Sequence, residues 1–535
     1  MPRWTLPALW LCFLLRALFY CSLVPLWEGY DEYAHFAFIQ YFATTGTLPD
    51  ALHTNTSREV QESMRLAPMP WMQRDLRQNV THDAWWRLPA PEREDRERRL
   101  RDLPPQGATE PSRDFVPIYE AQQPPLYYAL LAVPYRLLSA TPLITRVWWL
   151  RFFTAALASL VIPLGFLSAR EILGDVRPAF AVTALIASMP ELMLAVCRIG
   201  NDALAVVAGT LCLWLAFRTS EAQHRNRSAA LLGIAVGLAL LTKAYFLALL
   251  PPLVLLPLLV WRKRALVPSL LLASGPIVFA GWWYARNLML TGSLSGEQTE
   301  VAIQRFSVVE MLHMIARVPW IKAADFIFMS HIWLGDWSFL VLRSWMYHLF
   351  ALVWIIATFG FAARYCSTKP RTDLSLLAGF YISFLLAMAY HTLITFGHSG
   401  IAGTLGFYLC SMVVVESVLL YLGLHRWGVA ALTAAFAALE AFALIFYMLP
   451  YYTGLIAHLD NGNLPAMHLA QLPGGIIERL SVNKPPFITV PALTVIGLLF
   501  LLATLALVVT NFALAKQPGT LNTYPPPPGT AVTSP

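Results

Sequence analysis

Long apolar runs dominate this chain, separated by short basic loops and three longer polar segments. The first run, Leu6–Leu26, follows Arg3 and is about long enough to cross the ~30 Å hydrocarbon core of a bilayer. It contains Arg16 and no small-x-small cleavage site, so it reads as an anchor and not as a removed signal peptide. Further runs occupy about 147–168, 178–198, 201–217, 229–243, 245–261, 265–286, 342–363, 374–395, 403–423, 427–448 and 489–513. Together they predict an all-α polytopic membrane protein, a bundle of about 12 transmembrane helices, several of them short.

Loop charges set the orientation. With the N-terminus inside, the inner loops hold Arg170/Arg177, Arg218/Arg225/Arg227, Arg262-Lys263-Arg264, Arg364/Lys369/Arg371 and Arg426, and the tail begins at Lys516. Every short basic loop then falls inside. The condition is that Pro124–Ala140, apolar enough to span, does not. Its three prolines and three tyrosines suit an interfacial helix along the outer leaflet. The outer segments are then 27–146, 287–341 and 449–488. This divides the chain into a catalytic-type transmembrane module (1–290), a second outer loop (287–341), additional helices (342–513) and a disordered cytoplasmic Pro-rich tail (514–535). The mixed-charge run from Glu92 to Arg99 reads as a solvated helix with i,i+4 pairs. No internal repeat is evident.

Composition narrows the class. Of 535 residues, 57% are hydrophobic and 13% charged, against about 25% charged in soluble domains. That excludes a disordered, fibrous or ordinary cytosolic protein. The formal net charge of +7 comes largely from the inner loops, so it marks orientation and does not point to a nucleic-acid partner. Six cysteines, dispersed among the runs, form neither a disulfide nor a metal framework.

Five short elements carry chemistry. Glu28-Gly-Tyr-Asp-Glu-Tyr-Ala-His-Phe follows the first span; on a helix, Asp31 and His35 share a face, as a base and an orienting imidazole or as plain helix-start residues. Gln122-Gln-Pro-Pro-Leu-Tyr-Tyr opens the interfacial helix, and Arg198-Ile-Gly-Asn-Asp202 makes a tight outer turn. Gly237-Leu-Ala-Leu-Leu-Thr-Lys243 ends a span with a lysine that either snorkels or binds an anion. Gly281-Trp-Trp-Tyr-Ala-Arg-Asn ends another. Asp31, His35, Asp202, Lys243 and Arg286 thus reach one membrane face, a set suited to an anionic, lipid-borne substrate.

These residues resemble the GT-C superfamily of membrane glycosyltransferases, which includes protein O-mannosyltransferases and the lipid A aminoarabinose transferase. The resemblance rests on Tyr30-Asp-Glu-Tyr-Ala-His-Phe, Gln123-Pro-Pro-Leu-Tyr-Tyr128, Asn201-Asp202, Leu240-Leu-Thr-Lys243 and Trp283-Tyr-Ala-Arg-Asn287 with Gly292, in order over about the first 290 residues. Tyr30 stands where a related bacterial branch has Pro, and Gly406-Phe-Tyr-Leu-Cys lacks the Arg of a late G-R-Y-L-P-like motif. The resemblance implies an inverting transferase that moves a sugar from a polyprenyl phosphate to an extracytoplasmic glycan, lipid or protein acceptor, on the outer face of a bacterial inner membrane. It implies Asp31 and Glu32 as catalytic residues. For substrate binding it implies His35, Tyr128, Asp202, Lys243, Arg286 and Asn287, with Lys243 and Arg286 at the lipid phosphate. His331 and Asp336 are weaker candidates. No metal site is evident, which leaves one divalent ion at Asp31/Glu32 as the only metal expectation.

Two rivals belong to other classes. A flippase of lipid-linked sugars would want broken spans in matched halves and more intramembrane charge than Arg16, Glu191, Glu416 and Glu440, each of which also reads as a partner within the bundle. A polymerase or ligase would place its basic residues in a late outer loop, where His458, His468, Arg479 and Lys484 lie unpatterned.

Overall fold

The computed structural model of the chain describes residues 3–50, 53–74, 79–105, 115–219, 225–257, 260, 265–294, 306–367, 372–468 and 475–517. Among them the regular structure is helical, with two isolated bridges, Asn55 with Pro117 and Met69 with Thr81, and no sheet.

Helices occupy the expected apolar runs. Seven stretches are long and apolar enough to cross a membrane, or eight if the bent pair Val176–Ser188 and Pro190–Val196 is one span. That pair turns by 64° at Pro190, whose ring carries no N–H to continue a helix. The stretch Gly406–Tyr452 has 47 residues, about 70 Å if straight and more than twice the bilayer core. The backbone leaves helical geometry at His425 (φ 58°, ψ 179°), dividing the stretch into the two expected runs. The other three runs are shorter: Asp202–Arg218 has 17 residues, Arg225–Leu240 has 16, and Ala244–Leu256 begins as a 3-10 turn.

The expected interfacial helix is Leu126–Leu137, with 12 residues. At about 18 Å it is too short to span. Leu130, Val133 and Leu137 form an exposed apolar stripe, and Tyr127, Tyr128 and Leu131 are buried on the other face. The mixed-charge run is the helix Ala90–Arg101, with Arg96 paired to Glu92 at 2.8 Å and Arg99 to Asp95 at 3.6 Å. Arg426 donates to the Gln517 carbonyl at 2.5 Å, so the kink at His425 and the end of the last helix meet at one end of the bundle. Arg262, Lys263, Arg264, Lys369, Arg371 and the tail beyond Gln517 lie outside the described residues.

Three of the four intramembrane charges join the packing. Arg16 and Glu440 form a buried ion pair at 2.5 Å, and the Tyr20 hydroxyl donates to the same carboxylate oxygen at 2.8 Å. Arg16 also donates to the Ala187 and Ser188 carbonyls, which the helix break leaves without partners along the chain. Glu416 takes His331, Trp354 and Tyr381. The fourth, Glu191, accepts the Leu334 amide at 2.9 Å. Two helices touch backbone to backbone: a Cβ on Gly275 would stand 2.0 Å from the Gly233 carbonyl carbon.

Candidate active site

The first span ends under cations. Lys484 Nζ donates to the Leu23 and Val24 carbonyls at 2.8 and 2.9 Å. Arg151 donates to Val24 and Pro25 at 2.7 and 2.6 Å. Positive charge is favourable at this end of a helix, where the last carbonyls point outward. The chain then turns through two left-handed residues, Trp27 (φ 62°) and Asp31 (φ 52°). Such backbone costs about 1–3 kcal/mol per residue and persists where its surroundings hold it. The next helix, Glu32–Thr45, begins after Asp31, whose side chain makes no cap hydrogen bond. Asp31 and His35 therefore do not pair along a shared helical face. His35 Nδ1 lies 2.8 Å from the Tyr128 hydroxyl instead, and Tyr128 stacks on Phe38 with centroids 3.7 Å apart.

The other short elements interlock beside Asp31. Asn201 Nδ2 donates to Gln123 Oε1 at 3.1 Å and to the Thr242 carbonyl at 3.2 Å, and the Leu126 amide donates to the Leu241 carbonyl at 3.1 Å. Asp202 takes Lys243 at 2.5 Å and Arg198 at 3.2 Å. Arg198 reaches on to Asp336 at 3.5 Å. Its guanidinium lies 4.5 Å from the Tyr30 ring centroid and 4.6 Å from that of Phe407. Lys243 Nζ stands 5.0 Å from the Tyr408 centroid. Gly406 lets the turn carrying Phe407 and Tyr408 pack against the helix Trp320–Ile332, because a Cβ there would meet the Ile327 carbonyl oxygen at 1.8 Å.

Electrostatics separate the carboxylates. Glu32 is fully buried, held by Arg151 through both oxygens at 2.7 and 2.5 Å and by the Ile199 amide at 3.0 Å. These bonds occupy both carboxylate oxygens of Glu32, expected as a catalytic residue, and tie the segment after the first span to the bundle. Asp202 and Asp336 are also ion-paired. Asp31 alone of these four makes no ion pair and no hydrogen bond of good geometry among the described residues, and it is only partly buried. Burial pushes its carboxyl up to about 6, against the opposing pull of Arg198 and Lys243. Glu120 is pushed up to about 8, by burial first and by Asp31 second. His35 is pushed down to about 3 by burial and by Lys243, so the His35–Tyr128 contact involves a neutral imidazole.

Other expected residues stand elsewhere. Arg286 lies over the Trp283 ring at 5.1 Å, and Asn287 donates to the Leu294 carbonyl at 3.5 Å; neither touches the Asp202–Lys243 pair. His331 belongs to Glu416, 2.9 Å away. In the segment 449–488, Lys484 caps the first span, Arg479 donates to the Thr453 carbonyl at 2.6 Å, and His458 stacks on Trp71 with centroids 4.5 Å apart. Residues the sequence reading did not single out join the site: Arg198, Tyr119, Glu120, Trp337, Phe407 and Tyr408. Arg198 opens the turn that ends at Asp202, and Glu120 precedes Gln123 by three residues, so proximity to the quoted elements was the available signal. Among the described residues, no three His, Cys, Asp or Glu side chains are grouped to hold a metal ion. A separate cavity of about 890 Å³ lies beyond the 336–339 loop, lined by Trp71, Phe339, Arg343, Trp345 and Tyr447 among others.

Among solved structures, the chain is similar to ArnT from Cupriavidus metallidurans bound to undecaprenyl phosphate, at 12% identity and a TM-score of 0.46, over 96% of this chain and 78% of that one. It is also similar to the Archaeoglobus fulgidus oligosaccharyltransferase in its apo form, at 13% identity and a TM-score of 0.41, over 91% of this chain. There the alignment covers 61% of the longer enzyme. No curated protein matches the sequence. Residues 12–416 match the family described as predicted membrane protein (DUF2142), and this chain belongs to that family.

Proposed function

We propose that the chain is an integral-membrane inverting glycosyltransferase that moves a sugar from a polyprenyl-phosphate donor to a hydroxyl of an extracytoplasmic glycan, lipid or protein, on the periplasmic face of a bacterial inner membrane. One observation carries the reading: among the described residues Asp31 forms no ion pair, and it stands beside the Arg198, Asp202 and Lys243 cluster with its carboxyl near 6. A base in that range is ionised at neutral pH and still basic enough to take a proton. Asp31 takes the acceptor hydroxyl proton as that oxygen bonds to the anomeric carbon. The bond from that carbon to the phosphate oxygen breaks, and its electron pair leaves on polyprenyl phosphate. Lys243 meets the phosphate oxygens, since its ammonium has three donors and Asp202 occupies one. Arg198, flanked by two aromatic rings and two carboxylates, holds Asp202 and through it the lysine. Arg286 and Asn287 stand apart and take no part.

Purified protein is given a panel of polyprenyl-phosphate sugars, and release of polyprenyl phosphate is followed. Asp31→Asn, folded as judged by size-exclusion and melting, is expected to lose at least about a hundredfold in rate. Turnover like that of the parent would end Asp31's role as base. Transbilayer movement of lipid-linked sugar without donor consumption would replace the transferase with a flippase.

A further inference from the structure

Four of the six left-handed non-glycine residues among the described ones are Trp27, Asp31, Asp336 and Phe339, with Gly335 between the two pairs also left-handed. Two strained segments, 27–31 and 335–339, therefore face one another at the site. The first is covalently bound to the end of a span. The second joins two helices, Trp320–Ile332 and Ser344–Ser367, and owes its shape to its contacts.

Glu28 supplies most of those contacts. Its Oε1 accepts the Ser338 amide at 3.0 Å, its Oε2 accepts the Ser338 hydroxyl at 2.9 Å, and its own carbonyl accepts the Trp337 amide at 3.3 Å. His82 Nε2 closes on Oε2 at 2.8 Å. Burial pushes Glu28 up to about 8 and His82 down to about 3. Near neutral pH the contact is thus a hydrogen bond between uncharged groups, with the carboxylic acid donating to the imidazole. The gripped loop presents Trp337, whose ring meets Tyr30 edge-on at 5.0 Å. Its indole N–H is buried, makes no hydrogen bond of good geometry, and lies where it acts on the Asp31 carboxylate. A buried donor without a partner needs a reason, and the neighbouring carboxylate without a partner is that reason.

We propose that Glu28 and Trp337 are positioning residues for Asp31: Glu28 fixes the 335–339 loop, and the loop's indole N–H steers one Asp31 oxygen so that the other faces the acceptor hydroxyl. The inference rests on Asp31 being the base. Asp31 also faces Arg198, Asp202, Lys243, Tyr119, Glu120, Tyr128 and Tyr408, so the indole is one of several influences and its removal shifts the carboxyl without setting it alone. A donor to the ionised form favours that form. Losing it moves the acidic limb of activity to higher pH.

The test is the pH profile of kcat/KM for polyprenyl phosphate release by the full chain. Trp337→Phe keeps the ring and removes the N–H. It is expected to lower kcat about ten- to a hundredfold, leave KM for the donor within about twofold, and move the acidic limb up by about half a pH unit or more. Trp337→His, which retains a ring N–H, is expected to restore part of that shift. Glu28→Gln preserves an amide shaped like the neutral acid and keeps the limb in place, whereas Glu28→Leu releases the loop and moves it as Trp337→Phe does. An unmoved limb in both Trp337→Phe and Glu28→Leu overturns the inference while Asp31→Asn remains inactive. An active Asp31→Asn instead overturns the reading beneath it. If Glu28→Leu does not fold, the Trp337 pair decides alone.

Discussion

Lys243 is a cation at the edge of an apolar run that does not snorkel away. Its ammonium is buried against Asp202 and two tyrosine rings, which fixes a positive charge near Asp31 at the cost of desolvating it. Lys243→Met is expected to lower kcat/KM for donor about a hundredfold or more, with a larger effect on kcat than on KM, and steady-state phosphate release measures it. Asp31 makes a second prediction. As the proposed base it acts only when ionised, so activity is expected to rise as pH passes through about 6, with a plateau above that value. A profile flat from pH 5 to 8 would remove Asp31 from the rate-determining proton transfer. Which residues converge was legible in the sequence for Asp31, Asp202 and Lys243, because each ends an apolar run on the same face. Arg198's stacking between Tyr30 and Phe407 was not, since the rings lie hundreds of residues apart and no period links them. The pairing of Glu32 was hidden for a related reason: adjacency to Asp31 suggests chemistry, whereas its ionic partner, Arg151, sits 119 positions away.

At the scale of elements, apolar length predicted the helices well, and their ends less so. A run of hydropathy cannot distinguish one bent helix from two. Pro190 and His425 settle the matter through backbone geometry, at a proline with no N–H and at a left-handed histidine. That Leu126–Leu137 is too short to span was readable because loop charges forbade a span there. The backbone contact of Arg225–Leu240 with Leu266–Thr291 gives a test at this scale. Gly275→Val has no room against Gly233, and forcing the helices apart is expected to cost about 3 kcal/mol or more. Thermal unfolding in detergent should show it as a lower Tm, and an unchanged Tm would mean that the two helices part without loss.

Across the whole molecule, the charges inside the membrane act as ties. Arg16 connects the first helix to the helix holding Glu440 and to the carbonyls at the Pro190 break. Arg16→Met leaves Glu440 buried without its cation, and a loss of about 3–5 kcal/mol is expected. Pairing it with Glu440→Leu should recover part of that loss, since the uncompensated charge goes while the carbonyls stay bare. A double variant no more stable than the single one would show that the carbonyl contacts, and not the charge pair, hold the break.

Lys484 grips the carbonyls of Leu23 and Val24 across 461 and 460 positions of sequence. During synthesis the first span enters the membrane long before that lysine exists. The turn carrying Trp27 and Asp31 therefore emerges from a helix whose end is still bare, and its strained backbone has nothing yet to hold it. The site is assembled backwards in time: Asp31 is among the first of its residues made, and the clasp on its stem is among the last. A nascent chain that stops before Lys484 would carry nearly every residue of the site and still lack that clasp, leaving Arg151 as the cation on the carbonyls at the end of the first helix.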